Sequence, residues 1–292
     1  MAEDSVAIID GVAGTLFLVG TPIGNLEDLT ERARRVLGSV DLIAAEDTRR
    51  TGRLLQHLGI KATMVSFFEG NEQKRMPELI EALREGSMVA VVSDAGMPAL
   101  SDPGYRLVAA CVEVGIPVDV APGPSAAVAA LVISGLPTDR FVFEGFLPRS
   151  GRRRAERLDS LALEPRTILL FESPRRVAAL LEDLLKSLGD RRVALVRELT
   201  KQHQEVLRGG LNEILDEAKT RELRGEVVLV VEGSSEETAG GDESEAVAMA
   251  AEMVARGERK REAARRAGRL TGVPANRIYA RLASSRSTRS TD

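Results

Sequence analysis

The run Met88–Val92, M-V-A-V-V, empties directly into Ser93–Gly104, S-D-A-G-M-P-A-L-S-D-P-G, and this junction decides how the chain is read. A continuous apolar, β-branched run predicts a strand buried on both faces, the state that a parallel sheet imposes on its strands. The residues that follow are small, polar or turn-forming and make a poor core. Open α/β sheets bind their ligands at the carboxyl ends of strands, so this loop is the leading site candidate.

The same junction recurs on both sides. Thr15–Val19 ends in G-T-P-I-G-N at Gly20–Asn25, and a helix opens with Thr30 as its N-cap and Ala33, Val36 and Leu37 as its buried stripe. Asp41–Ala45 reads as a strand that runs into E-D-T-R-R, Glu46–Arg50. Helices near Arg50–Leu58, Gln73–Glu85 and Tyr105–Val114 then alternate with strands at Thr63–Ser66, Met88–Val92 and Val118–Val120. A-P-G-P-S-A, Ala121–Ala126, breaks the chain and starts an Ala-rich helix that stops at Gly135-Leu136-Pro137. Such alternation predicts right-handed crossovers and a mostly parallel sheet.

A second series follows, with strands at Phe141–Glu144, Thr167–Phe171, Val193–Arg197 and Val227–Val231 and helices at Arg175–Leu188 and Leu211–Glu222. A further strand at Glu205–Arg208 would make this sheet mixed. The chain of 292 residues exceeds one compact core. The expected organisation is a flexible tail over 1–14, an N-terminal α/β domain over 15–137 and a C-terminal α/β domain over 138–233. An acidic linker over 234–245, a helical helix-turn-helix-like domain over 246–285 and a disordered tail over 286–292 complete it.

Composition bounds the function. The net charge of −4 gives no global attraction to polyanions, so a nucleic acid would have to be met locally. From Asp242 onward eleven Lys and Arg face seven Asp and Glu, a local positive excess. The other dense basic run is Arg149, Arg152, Arg153, Arg154 and Arg157, which is either a solvated helix face or a phosphate-contacting one. One cysteine, Cys111 in an apolar helix, reads as a buried hydrophobe, and with two histidines it makes a His/Cys zinc site a poor expectation. The first residues carry no signal-peptide pattern and no run approaches membrane-spanning length, so a soluble, cytoplasmic protein is expected.

Three glycine-bearing loops, Gly20–Asn25, Ser93–Gly104 and Ala121–Ala126, converge on one rim of a parallel sheet. They are tight turns or a pocket lined by main-chain groups. None matches the dinucleotide fingerprint or the P-loop. Glu46, Asp47 and Arg49 lie at another strand end, and E-L-T-K-Q-H, Glu198–His203, lies at one in the second half. Rim carboxylates suit proton transfer, and Arg49 and Lys201 suit phosphate contact. His57, at a helix end, suits dipole capping.

Read in order, G-T-P-I-G-N, A-E-D-T-R (45–49), the Ser93–Gly104 loop, P-G-P-S-A (122–126), G-F-L-P-R (145–149), F-E-S-P (171–174) and R-E-L-T-K (197–201) resemble one family. It is the tetrapyrrole methylase superfamily, in its ribosomal RNA small subunit methyltransferase I branch. The resemblance implies a homodimer of two-subdomain α/β chains that binds S-adenosylmethionine and methylates the ribose 2′-oxygen of a cytidine in the decoding region of 16S rRNA. It implies that Ser93, Asp94, Ala95 and Gly96, with Leu100, Ser125 and Ala126, hold the cofactor, and that Ile23, Phe171 and Leu199 line it. The chain departs from the pattern at Phe68 and Gly70, at Arg175 and at Gln204.

On that reading Asp94 or Glu46 takes the ribose proton, and Arg49, Glu198 and Lys201 orient the ribose and phosphates. Arg149, Arg152, Arg153 and Arg154, with Lys260, Arg261, Arg265 and Arg266, grip the RNA backbone. Two alternatives stay open: methylation of a small tetrapyrrole on the same fold, and a non-enzymatic helix-turn-helix regulator with a ligand-sensing α/β body.

Overall fold

The computed structural model describes residues 14–234, 242–273 and 275–284. The tails and most of the acidic linker expected from the sequence lie outside the described residues. The chain forms two compact units: 1–130 with 198–205, and 131–197 with 206–292. The division falls inside a helix rather than at Pro137, and Glu198–Glu205 belongs with the first unit.

In the first unit, β1 (Leu16–Val19), β2 (Leu42–Ala45), β3 (Met64–Ser66), β4 (Val89–Val92) and β5 (Val118–Ala121) form a sheet of order β3-β2-β4-β1-β5. Its described pairings are all parallel. Every residue of β4 is buried, because helices cover both faces. On one side α1 (Glu31–Ser39) and α2 (Thr48–Leu58) pack Ala33, Val36, Leu37 and Leu55 against Phe17, Val19, Ile43 and Val92. On the other, α3 (Glu72–Arg84) and α4 (Tyr105–Glu113) pack Leu79, Leu83, Leu107 and Cys111 against Leu16, Ala44, Val89 and Val91. Alternate strand residues thus serve opposite layers. Thr30 caps α1 by accepting from the Ala33 N–H at 3.1 Å. Cys111 is fully buried, which pushes its thiol up.

The helix α5 (Ala126–Ser134) leads to the second sheet. That sheet holds β6 (Phe141–Phe146), β7 (Thr167–Glu172), β8 (Arg192–Arg197), β9 (Glu205–Gly210) and β10 (Val227–Val231) in the order β6-β7-β10-β8-β9. β6 and β7 are parallel, while β10 runs antiparallel to β7 and β8, so the sheet is mixed as expected. Its core includes Leu158 of α6 (Arg152–Leu161), Leu180, Leu181 and Leu184 of α7 (Val177–Leu188), and Leu211 and Ile214 of α8 (Leu211–Thr220).

The last helices are α9 (Glu243–Ala255), α10 (Lys260–Thr271) and α11 (Ala275–Ser284). They share a small core of Ala246, Ala250, Ala263, Ala267, Ile278 and Leu282. α9 starts earlier than expected: Asp242 accepts from the Ser244 N–H at 2.8 Å, so the acidic residues 243 and 245 form a capped first turn rather than the end of a linker. Among the described residues no helix is long and apolar enough to cross a membrane.

Candidate active site

Parallel strands deliver β1, β2, β4 and β5 into loops on one rim of the first sheet. Those loops are locked to one another. Thr21 exchanges both backbone hydrogen bonds with Gly96, at 2.9 and 3.0 Å, and its hydroxyl donates to the Ser93 carbonyl at 3.2 Å. Gly96 has φ of +83°, and a side chain there would meet Ile23 and the Pro124 carbonyl at 3.3 and 3.4 Å. Thr30 donates to the Pro122 carbonyl at 3.3 Å. Gly96 therefore spends its own amide on the loop lock. What it offers a ligand is close backbone approach.

Carboxylates gather beside this lock. Glu46 Oε2 accepts from the Asp94 N–H at 3.0 Å. Asp94 Oδ2 lies 3.2 Å from the Arg50 guanidinium, while its Oδ1 is buried with no hydrogen-bond partner in the structure. Asp102 is pushed up to about 6, first by burial and then by the negative charge of Glu46, with Ser93 hydrogen-bonding it and Asp94 nearby. Asp47 is used differently. It caps α2 through the Arg49 N–H at 2.8 Å and pairs with the Arg49 guanidinium at 2.9 Å, contacts that hold its carboxyl far below the usual range. The guanidinium against the site carboxylate is Arg50, the residue after the Arg49 expected to contact phosphate.

The Glu198–Glu205 segment brings a further pair to this unit, with Lys201 Nζ 2.9 Å from Glu198. It fits closely on the β1 loop: a side chain on Gly24 would meet Thr200 Oγ1 at 2.8 Å and the Leu199 carbonyl at 2.9 Å. Ala99, Ser101, Glu198 and Thr200 are the non-glycine residues with positive φ among those described, the first two in the Ser93–Gly104 loop and the last two in Glu198–Glu205. Left-handed backbone at such residues costs about 1–3 kcal/mol each and collects where a site demands it.

Ile23, Ser93, Asp94, Ala95, Gly96, Leu100, Ser125, Ala126 and Leu199 thus share the first unit with Glu46, Arg49, Glu198 and Lys201, whereas Phe171 lies in the second. Leu100 is half exposed and Ser93 is buried. Two residues escaped sequence reasoning. Asp102 stands inside the quoted loop, but its half-buried position has no signature in spacing. Glu72, which is buried, accepts from the Gly104 N–H at 3.1 Å and so fixes the far end of that loop from α3.

In the second unit the basic run divides. Arg149 and Arg153 are exposed, and Arg152 pairs with Glu156 at 2.8 Å. Arg154 is buried, donating to Asp183 at 2.9 Å and to the Pro148 carbonyl at 3.0 Å. Arg154 is therefore a packing residue rather than a free phosphate contact, a correction to the sequence reading. In the helical segment Lys260 donates to the Leu282 carbonyl at 2.6 Å, Arg261 lies 5.8 Å from the Tyr279 ring centre, Arg265 pairs with Asp159, and Arg266 pairs with Glu258 at 2.8 Å. Lys260, Arg261 and Arg266 hold the segment together, and Arg265 ties it to α6.

Comparison with known proteins agrees with this architecture. Residues 15–215 match the family described as Tetrapyrrole (Corrin/Porphyrin) Methylases. Among curated relatives, "Ribosomal RNA small subunit methyltransferase I" of Thermotoga maritima is 51% identical over 75% of this chain and 99% of its own length. The protein of the same name from Micromonospora olivasterospora is 45% identical over 97% of this chain and 94% of its own. Among solved structures, uroporphyrin-III C-methyltransferase from Thermus thermophilus, complexed with S-adenosylhomocysteine, aligns at TM-score 0.55 and 22% identity, over 75% of this chain and 97% of that one. The cobalamin-biosynthetic cobalt precorrin-4 methyltransferase aligns at TM-score 0.57 and 18% identity, over 75% and 94%. On the family match and the near full-length relatives together, the chain belongs to the tetrapyrrole (corrin/porphyrin) methylase family.

Proposed function

We propose that this chain is an S-adenosylmethionine-dependent methyltransferase of small-subunit ribosomal RNA, acting on the ribose 2′-oxygen of a cytidine in the decoding region of 16S rRNA. What carries the reading is the likeness to relatives named ribosomal RNA small subunit methyltransferase I over 97% of the chain. That span takes in the helical segment with its local positive charge, for which a small tetrapyrrole acceptor has no use.

The first unit fits such a cofactor. Asp94 Oδ1 is a buried acceptor without a donor, the complement of a ligand hydroxyl or amine. Gly96, with Ser93, Ala95, Leu100, Ser125 and Ala126 of the same unit and Ile23 and Leu199 as further lining residues, lets a ligand reach main chain. When bound, S-adenosylmethionine supplies an electrophilic methyl group. The protein's own task is to hold the acceptor oxygen in line and to receive its proton. Asp94 and Glu46 are the proposed acceptors of that proton, and Arg49, Glu198 and Lys201 orient the ribose and phosphates. Arg149, Arg152 and Arg153, with Lys260, Arg261, Arg265 and Arg266, meet the RNA backbone.

The active form is a homodimer in the cytoplasm. Supporting this, the edge strand β5 exposes Val118 and Val120, α4 exposes Val112, and α5 is apolar all round and exposes Val128 and Val132. The test is tritiated methyl transfer to small ribosomal subunits lacking the modification, mapped to the nucleotide, with uroporphyrinogen as the competing acceptor. Label at one cytidine 2′-oxygen supports the reading; label in uroporphyrinogen alone, or none, overturns it.

A further inference from the structure

The second unit contains a cavity of about 470 Å³ at the ends of β6 and β7, lined by Phe146, Leu147, Arg149, Glu172, Ser173 and Arg176 among others. That size lies within the ~300–1,000 Å³ range of small-ligand sites. A β-bulge just before Phe146 sets how that lining residue is presented. The β6–β7 register shifts between Phe143 and Gly145, where Gly145 has φ of +58°. A shift of one residue reverses facing, so Phe143 and Phe146 come to one side of the strand. Both rings meet Phe171 edge to face, with centres 5.0 and 5.6 Å away. Phe146 is supported from beneath and still 57% exposed, a ring offered to a partner.

Beside it stands a carboxylate with unused capacity. Glu172 is 3% exposed. Its Oε1 accepts from the Ser173 N–H at 2.8 Å and hydroxyl at 3.3 Å. Its Oε2 lies 3.2 Å from the Arg176 guanidinium but receives no hydrogen bond in the structure. A buried acceptor in that state calls for a donor.

We infer that this cavity holds the base of one unpaired RNA nucleotide bearing an exocyclic amine, with cytosine the base selected. The inference rests on the RNA-methyltransferase reading. Phe146 stacks on the base, Glu172 Oε2 accepts from its N4 amine while staying paired with Arg176, and Arg149 faces the attached phosphate. Uracil presents a carbonyl oxygen at the same position, which places acceptor against acceptor, so the pocket rejects it by leaving Glu172 unpaired. The discrimination is therefore between the two pyrimidines, cytosine over uracil.

The test titrates the full-length protein with 5′-CMP and with 5′-UMP by ligand-observed NMR and follows single-turnover methyl transfer in parallel. Wild type should prefer CMP by about tenfold, the worth of one satisfied polar contact. Glu172→Gln keeps an acceptor for Ser173 but turns a donor to the cavity, and it should erase or reverse the preference. Phe146→Leu, on the exposed ring, should weaken both nucleotides about tenfold without altering their ratio. Equal CMP and UMP affinities in wild type, or an unchanged preference in Glu172→Gln, overturn the pocket even if rRNA is methylated. Nucleotide preference as described with no rRNA methylation by wild type leaves the pocket standing and overturns the proposed reaction instead.

Discussion

Gly20 and Gly123 meet backbone to backbone: a Cβ built on Gly20 would lie 2.6 Å from both the N and Cα of Gly123, and one on Gly123 would lie 2.8 Å from the Gly20 Cα. Real Cβ atoms do not come so close, and a main chain cannot rotate aside as a flexible side chain can. Gly20→Ala must therefore separate the loops after β1 and β5, against the lock that Thr21 makes with Gly96. The expected cost is about 2 kcal/mol or more in urea unfolding, with cofactor affinity reduced at least tenfold by calorimetry. Wild-type stability together with wild-type affinity would show that the two loops move freely.

Asp102 should give the protein a distinctive pH response. Its carboxyl stands at about 6 in the fold against an ordinary value of 3.8, so the folded chain binds more protons than the unfolded chain between those limits. This contribution to stability is fully present below about pH 4 and is lost as pH rises through about 6. Asp102→Asn keeps an acceptor for Ser93 and cannot ionise. Above pH 7 it should be more stable than wild type by up to roughly 2 kcal/mol, and the gap should close towards pH 4. Denaturant midpoints at pH 4.5 and pH 8 check this, and a gap independent of pH would show that burial does not raise the group.

Much of this was legible in the sequence, for identifiable reasons. Of the M-V-A-V-V run, Val89–Val92 are buried on both faces, as a parallel sheet between helix layers requires, while Met88 precedes the strand and is exposed. Thr30, Ala33, Val36 and Leu37 carried their helix in their spacing. The extra strand was expected at Glu205–Arg208 and runs over Glu205–Gly210. What spacing does not carry is partnership. Arg154 resembles its neighbours in the basic run, yet its depth and its bond to Asp183 come from α7, distant in sequence. Arg49 and Arg50 differ only by one step of the helix, which turns the second towards Asp94. The assignment of Glu198–Glu205 to the first unit depends on a close approach to Gly24 that no local pattern records.

Glu46→Gln should separate proton transfer from loop architecture. The glutamine carbonyl can still accept from the Asp94 N–H, so the loop survives while the charge is lost. General-base groups contribute typically about 10²–10⁴-fold, and a single-turnover rate lowered about a hundredfold at saturating cofactor is the expected outcome. Asp94→Asn should add a loss of cofactor affinity, since it changes the residue whose Oδ1 awaits a donor. Near-normal rates in both variants would mean that positioning alone suffices.

Arg153 and Arg154, adjacent in sequence, should fail in opposite ways. Arg154→Ala leaves the Pro148 carbonyl and the Asp183 carboxylate without their donor, and because Asp183 can partly rehydrate the cost should be about 1–3 kcal/mol of stability. Its RNA affinity, measured on the folded protein, should hardly move. Arg153→Glu removes nothing from the core, so its denaturation midpoint should match wild type. It should instead weaken RNA binding uniformly across sequences and reduce the slope of log affinity against log salt by about 1, the signature of one lost phosphate contact. If Arg153→Glu leaves that slope unchanged while Arg154→Ala reduces it, the basic run contacts RNA through a different face, and the buried pair with Asp183 must open for binding.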